Sequence, residues 1–136
     1  MPRNEYQADL VDLRTDVVAM SETVAERLEM GLTALETGDE ELAGEVINGD
    51  DEINQLYLDL EKQCTDLIAL QQPVAGDLRF IAASFKIITD LERIGDLATN
   101  LGEYAQAADN DIFPNVDIQE IGETTIAMLE SSMQAC

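Results

Sequence analysis

Leu10, Leu13, Val17, Met20, Val24, Leu28 and Leu35 recur mostly at steps of three and four residues. That spacing gathers apolar side chains on one stripe of an α-helix. Gly38-Asp39 follows, with the glycine placed to end this helix and Asp39 to N-cap the next. A second stripe runs through Leu42, Val46, Ile53, Leu56, Leu60, Cys64, Leu67 and Leu70. Gly44 and Gly49 interrupt it, each weakening a helix by about 1 kcal/mol relative to alanine. Gly49 lies on the apolar row itself, so the expectation there is a close approach of a neighbouring helix. Pro73 stops this second helix and sits near the start of a third. The third stripe comprises Leu78, Ile81, Phe85 and Ile88, and continues on a slightly rotated face through Leu91, Ile94, Ala98 and Leu101.

Asp109-Asn110-Asp111 and Pro114-Asn115 read as a loop, and Asp117 as the N-cap of a fourth helix carrying Ile121, Ile126, Met128, Leu129 and Met133. No segment alternates with the period of two that a half-buried strand requires. Long helices joined by short connections pack antiparallel. The pattern therefore predicts an all-α fold: an antiparallel three-helix bundle with an additional C-terminal helix. Met20, Met30, Met128, Met133, Phe80, Phe85 and Tyr104 fall at helical spacing and read as packing residues.

Composition adjusts this picture. The 136 residues suit one domain, and 46% hydrophobic content suffices for a core. Against 29 Asp and Glu stand only 7 Lys and Arg, a formal charge of −22. That balance argues against nucleic acid and anionic membrane surfaces as partners, since both need a basic face. The acid excess spreads along the whole length, and Lys62 and Lys86 are the only lysines. This resembles the cytosolic proteins of extreme halophiles, whose self-repulsion is screened by salt. The opening MPRNEYQADL has no apolar segment, and no apolar run is long enough to span a bilayer, so the expected location is the cytoplasm. Cys64 and Cys136 occupy unlike contexts and make no disulfide framework.

Histidine is absent, which excludes His-dependent zinc sites, Ser-His-Asp triads and the Glu-x-x-His di-iron arrangement. No phosphate-cradling glycine loop occurs either. The chain reads as a non-enzyme. Two features remain as candidate chemistry. Glu92 and Asp96 lie four apart, with Asn100 one turn further on. Residues so spaced are neighbours on a helix, roughly 5–6 Å apart at Cβ. Such oxygen donors suit hard cations; the alternative is a solvated acidic face. Arg79, Lys86 and Arg93 recur every seven residues and form a candidate partner-binding stripe, or else pair with nearby acids such as Asp90.

The run Asp77-Leu78-Arg79, Lys86-Ile87, Asp90-Leu91-Glu92-Arg93-Ile94-Gly95-Asp96, Asn100, Glu103 and Ala105 resembles the signature of the PhoU family. Gly49-Asp50-Asp51-Glu52-Ile53-Asn54, Glu61 and Gln71-Gln72-Pro73-Val74 fit it in the same order. These are cytoplasmic regulators of phosphate uptake built from two three-helix repeats. The resemblance implies that residues 8–108 form the first repeat and residues 117–136 the opening helix of an incomplete second one. It implies metal ions or iron clusters (iron, Mn or Mg) held by Glu92 and Asp96, with Asp50 and Asn54 the matching pair from the preceding helix and Asn100 alongside. Many relatives have Asp where Asn54 stands, so the resemblance implies a weaker site here. The implied function is negative regulation of phosphate import through contacts with the phosphate transporter ATPase. A metal-binding or storage protein and a remnant of a truncated gene are the alternatives. A fourth helix without its bundle leaves an apolar face open, so a homodimer is expected, the alternative being that residues 117–136 fold back on their own bundle or stay disordered.

Overall fold

A computed structural model describes residues 2–107 and 118–135, all but the short connections helical. Helix α1 spans Pro2–Thr37, α2 Glu40–Asn48, α3 Asp50–Gln71, α4 Ala75–Ala107 and α5 Ile118–Ala135. The α1–α2 junction follows the sequence reading. Gly38 takes a φ of 72°, a conformation that glycine adopts without cost, and its N–H donates to the Ala34 carbonyl at 2.8 Å. Asp39 then caps α2, its carboxylate accepting from the Leu42 N–H at 3.1 Å. At the α3–α4 junction Gln72 is left-handed, with φ 45°, immediately before Pro73. The loop at 109–115, the Asp117 cap, Cys136 and the side chain of Ile121 lie outside the described residues.

The expected single second helix is two. It breaks at Gly49, whose N–H reaches back to the carbonyls of Glu45 and Val46 at 3.0 and 3.2 Å. A Cβ on Gly49 would lie 2.7 Å from the Arg27 guanidinium carbon. Arg27 crosses over the glycine and pairs with Glu52 at 2.8 Å. The close neighbour predicted for Gly49 is thus a side chain of α1. Asp50, Asp51 and Glu52 fill the first turn of α3, where negative charge is favoured by the helix dipole.

Helix α1 is the hub and touches all four others. Tyr6 donates a hydrogen bond to Asp77 at 2.8 Å and Gly31 meets Ala98 and Leu101, so α1 and α4 run parallel. The α2–α3 arm descends between them: Gln63 reaches Asp16, Ile53 meets Gly95, and Ala43 meets Gly102. The main core joins Leu13, Val17, Met20 and Val24 of α1 to Ile53, Leu60, Cys64 and Leu67 of α3 and to Ile81, Ile88 and Leu91 of α4. Burial, and secondarily Glu61, pushes the Cys64 thiol up to about 11, leaving it an inert packing group.

The buried side of α4 is Ile81, Ser84, Ile88, Leu91, Gly95, Ala98, Gly102 and Ala105. These positions alternate three and four residues apart, the heptad seam of coiled-coil packing. Leu78 and Phe85, expected in the stripe, lie beside this seam and stay exposed. Ser84 takes the interior place because its hydroxyl donates to the Phe80 carbonyl at 2.9 Å, which satisfies a polar group inside the core. Phe80 packs as expected. Leu70, Tyr104 and Met128, also read as packing residues, are exposed.

Helix α5 folds back along α1. Ile126, Leu129 and Met133 are partly buried against the bundle, over a second row of α1 that includes the buried Ser21 and Ala25. These small residues made no stripe in the hydrophobic pattern, so the seat for α5 was not foreseen. The apolar face from which a homodimer is expected is thus covered in part, with Met128 left exposed. Among the described residues no helix is long and apolar enough to cross a membrane.

The surface carries far more acid than its cations can match, 29 against 7. Ion pairs such as Lys62–Asp66 at 2.8 Å and Lys86–Asp90 at 3.4 Å are exposed and add little each. Helical circular dichroism is therefore expected to fall sharply when molar salt is dialysed away; an unchanged cooperative melt in dilute buffer would contradict this. Two glycines are expected to respond oppositely to alanine. Gly44→Ala meets only a side-chain amide at 3.6 Å and should raise stability by up to about 1 kcal/mol in urea melts. Gly102→Ala would press a Cβ to 3.0 Å from the Ala43 backbone oxygen and should lower it by roughly 1 kcal/mol or more.

Candidate functional site

Asp50, Asn54, Tyr57 and Glu61 follow one another at steps of three and four along α3, and Thr89, Glu92, Asp96 and Thr99 do the same along α4. The two rows meet because Gly95 is buried between Glu92 and Asp96. A Cβ there would stand 3.0 Å from Cγ2 of Ile53. Ile53 fills the notch, and its neighbours on α3 come within reach of α4. Thr99 Oγ1 lies 3.2 Å from Asp50 Oδ1 and 3.3 Å from the Gly95 carbonyl, so one hydroxyl hydrogen serves two acceptors. The second oxygen of Asp50 receives a long hydrogen bond from Asn54 Nδ2 at 3.5 Å.

The result is a crowd of negative charge. Glu92 is held above the usual carboxylate range, first by partial burial and then by the charges of Asp96, Asp50 and Glu61. Tyr57 shares the same field. A hydrogen bond with Thr89 favours its ionised form, but burial and the charges of Glu61 and Glu92 outweigh this and raise it. A group so placed gains from a proton or from a cation beside it. Asp50, Asn54 and Glu92 are half-buried, whereas Asp96 and Asn100 are exposed. Among the described residues no three acidic or thiol side chains already gather closely enough to hold a metal ion. These are charged neighbours around a shared space, with Asp96 open to solvent.

The structure thus brings Asp50, Asn54, Glu92 and Asp96 to one flank and leaves Asn100 a turn away on α4. Glu61, Tyr57 and Thr99 join them, and the sequence reading had assigned none of these to the site. A signal was present: Glu61 follows Asn54 by seven residues and Thr99 follows Glu92 by seven, two helical turns along the same seam.

Arg79, Lys86 and Arg93 lie exposed on the outer side of α4. Lys86 makes the local pair with Asp90 that its spacing suggested. Arg79 and Arg93 form no ion pair among the described residues.

A profile of the PhoU domain matches residues 17–105. A phosphate-specific transport system accessory protein PhoU homolog of Aquifex aeolicus is 40% identical over 127 residues, covering 92% of this chain and 58% of its own length. The protein of that name from Escherichia coli is 34% identical, with 96% of this chain and 55% of its own length covered. The crystal structure of PhoU from Pseudomonas aeruginosa superposes with a TM-score of 0.90 at 32% identity, over 96% of this chain and 64% of that one. PhoU from Streptococcus pneumoniae superposes with a TM-score of 0.87 at 28% identity. The chain spans a little over half the length of the curated relatives it matches. The match covers α4 as far as Ala105 and both rows of the α3–α4 site; the chain belongs to the PhoU domain family.

Proposed function

We propose that this protein is a cytoplasmic regulator of phosphate transport that restrains phosphate import by binding other proteins, the ATPase of the phosphate transporter foremost among them. The observation that carries this reading is family membership across nearly the whole chain, with relatives named as accessory proteins of phosphate-specific transport. The site supports contact rather than catalysis: it presents charged carboxylates on a helix flank and no nucleophile–base pair.

The α3–α4 flank is the proposed cation site. Its donors are hard oxygens and its charge is already crowded at Glu92, which fits iron, Mn²⁺ or Mg²⁺. Glu92, Asp96 and Asp50 would supply the charge, and Asn54 and Asn100 neutral oxygens. A bound ion would neutralise the crowd. Asp50, already tied to Thr99, would then be held to α4 from both sides, stiffening the seam.

Three measurements test these statements. In a host lacking its own copy, this chain should lower phosphate uptake under phosphate-replete growth; unaltered uptake would contradict the regulatory reading. By calorimetry, Mn²⁺ or Fe³⁺ should bind the wild type roughly ten-fold or more tightly than Glu92→Gln or Asp96→Asn, and Asn54→Asp should bind more tightly still. Equal affinities in all four proteins would reduce the flank to solvated surface. The third concerns pH without cations. A carboxylate raised in the folded state binds more protons there than in the unfolded chain, so stability falls as pH rises through its folded pKa. Glu92→Gln removes that loss and should be more stable at neutral pH by up to about 1 kcal/mol, an advantage that shrinks on acidification.

A further inference from the structure

On a chain of charge −22, three of the seven cations share one exposed row of α4. Arg79, Lys86 and Arg93 are two helical turns apart, so successive charges stand about 10.5 Å from one another along the axis. Arg79 and Arg93 are not consumed by ion pairs among the described residues, and Lys86 has only an exposed local partner. Two large apolar groups stand beside the second half of this row. Leu78 and Phe85 do not belong to it: at seven-residue steps they lead to Glu92 and Thr99, on the flank toward α3. Leu97, one turn past Arg93, and Tyr104, seven residues further, stand beside the cation row toward the end of α4 and are each 56% exposed. Arg79, Lys86, Arg93, Leu97 and Tyr104 are all exposed, while α1 packs on the seam side of α4.

We propose that this face of α4 is a docking surface for an acidic amphipathic helix of a partner protein, one that carries Asp or Glu at seven-residue intervals beside apolar residues. The proposal deepens the regulatory reading and rests on it for the biological partner. Charge complementarity selects the occupant. An acidic helix is repelled by the bulk of this protein and finds counter-charges on this row, whereas a basic helix is repelled here and attracted elsewhere. The seven-residue period sets the register, because helices packed at a shallow angle meet every two turns. Leu97 and Tyr104 supply apolar contact that cations alone would lack.

The test uses the full chain and a fluorescein-labelled helical peptide about three heptads long, with one Glu and two Leu per heptad. Fluorescence anisotropy is read at the lowest salt that keeps the protein folded. The Glu peptide should bind at least about ten-fold more tightly than the same peptide with Lys for Glu, and more weakly as salt is raised. The variant Arg79→Glu, Lys86→Glu, Arg93→Glu should lose roughly ten-fold or more of that affinity. Reversing Glu22, Glu26 and Glu29 to Lys on α1 should not lower it. Should the first triple variant fail to fold by circular dichroism, replacement of the same three residues by Gln carries the test, with a smaller loss expected. Equal binding of the Glu and Lys peptides, or full affinity in the folded triple variants, would overturn the proposal. Phosphate uptake in the complemented host separates the two readings. Wild type without effect on uptake removes the regulatory reading and leaves the peptide result to judge the surface. Wild type and folded triple variant restraining uptake equally would leave regulation standing and remove the surface.

Discussion

The seating of Ile53 in the notch left by Gly95 is the contact on which the site depends. Helix α4 has Ile81, Ser84, Ile88 and Leu91 in the first half of its seam and only glycine and alanine, Gly95, Ala98, Gly102 and Ala105, in the second. Where the small residues begin, α3 closes on α4 and Asp50 comes within hydrogen-bonding distance of Thr99. Further along, α2 takes the place of α3 against Gly102. The break that allows this exchange falls at Gly49, whose missing side chain leaves Arg27 its path to Glu52. Packing of uncharged groups thus fixes the spacing of charged ones. Four carboxylates on two helices would drift apart if their own repulsion decided the matter.

Much of this was legible in the sequence, for a definable reason. Stripes such as Leu13, Val17, Met20 and Val24 report directly on burial, because a large apolar group has one favourable place. Gly38-Asp39 and Pro73 act through local backbone chemistry and need no tertiary information. The failures involve residues whose environment is set by a distant neighbour. Ser84 is polar yet interior because a carbonyl one turn back satisfies it. Phe85 is apolar yet exposed because the seam passes one position to its side. Ser21 and Ala25 seat α5 through smallness, which hydrophobicity does not register. The break at Gly49 was obscured by an apolar row that continues across it, although three acids in succession are a helix-start signal.

For the site, the resemblance named Asp50, Asn54, Glu92 and Asp96, and the fold gathers them on one flank. Their coupling was not legible, because it depends on a helix separation set by Gly95 and Ile53. Asn54 illustrates the point: as a neutral donor it supplies Asp50 with a hydrogen bond that a carboxylate could not. The flank is thereby eased by one negative charge in the absence of a cation. The same trade would lower its attraction for one.

The account turns on helix packing crowding negative charge around a half-buried Glu92, and the carboxyl carbon shift of Glu92 followed by NMR against pH measures that directly. In the cation-free wild type the midpoint should lie above the ordinary range for glutamate, and in Gly95→Ala, where α3 is pushed outward from Ile53, it should move back toward that range. An ordinary midpoint in the wild type, or the same raised midpoint in both proteins, would contradict it.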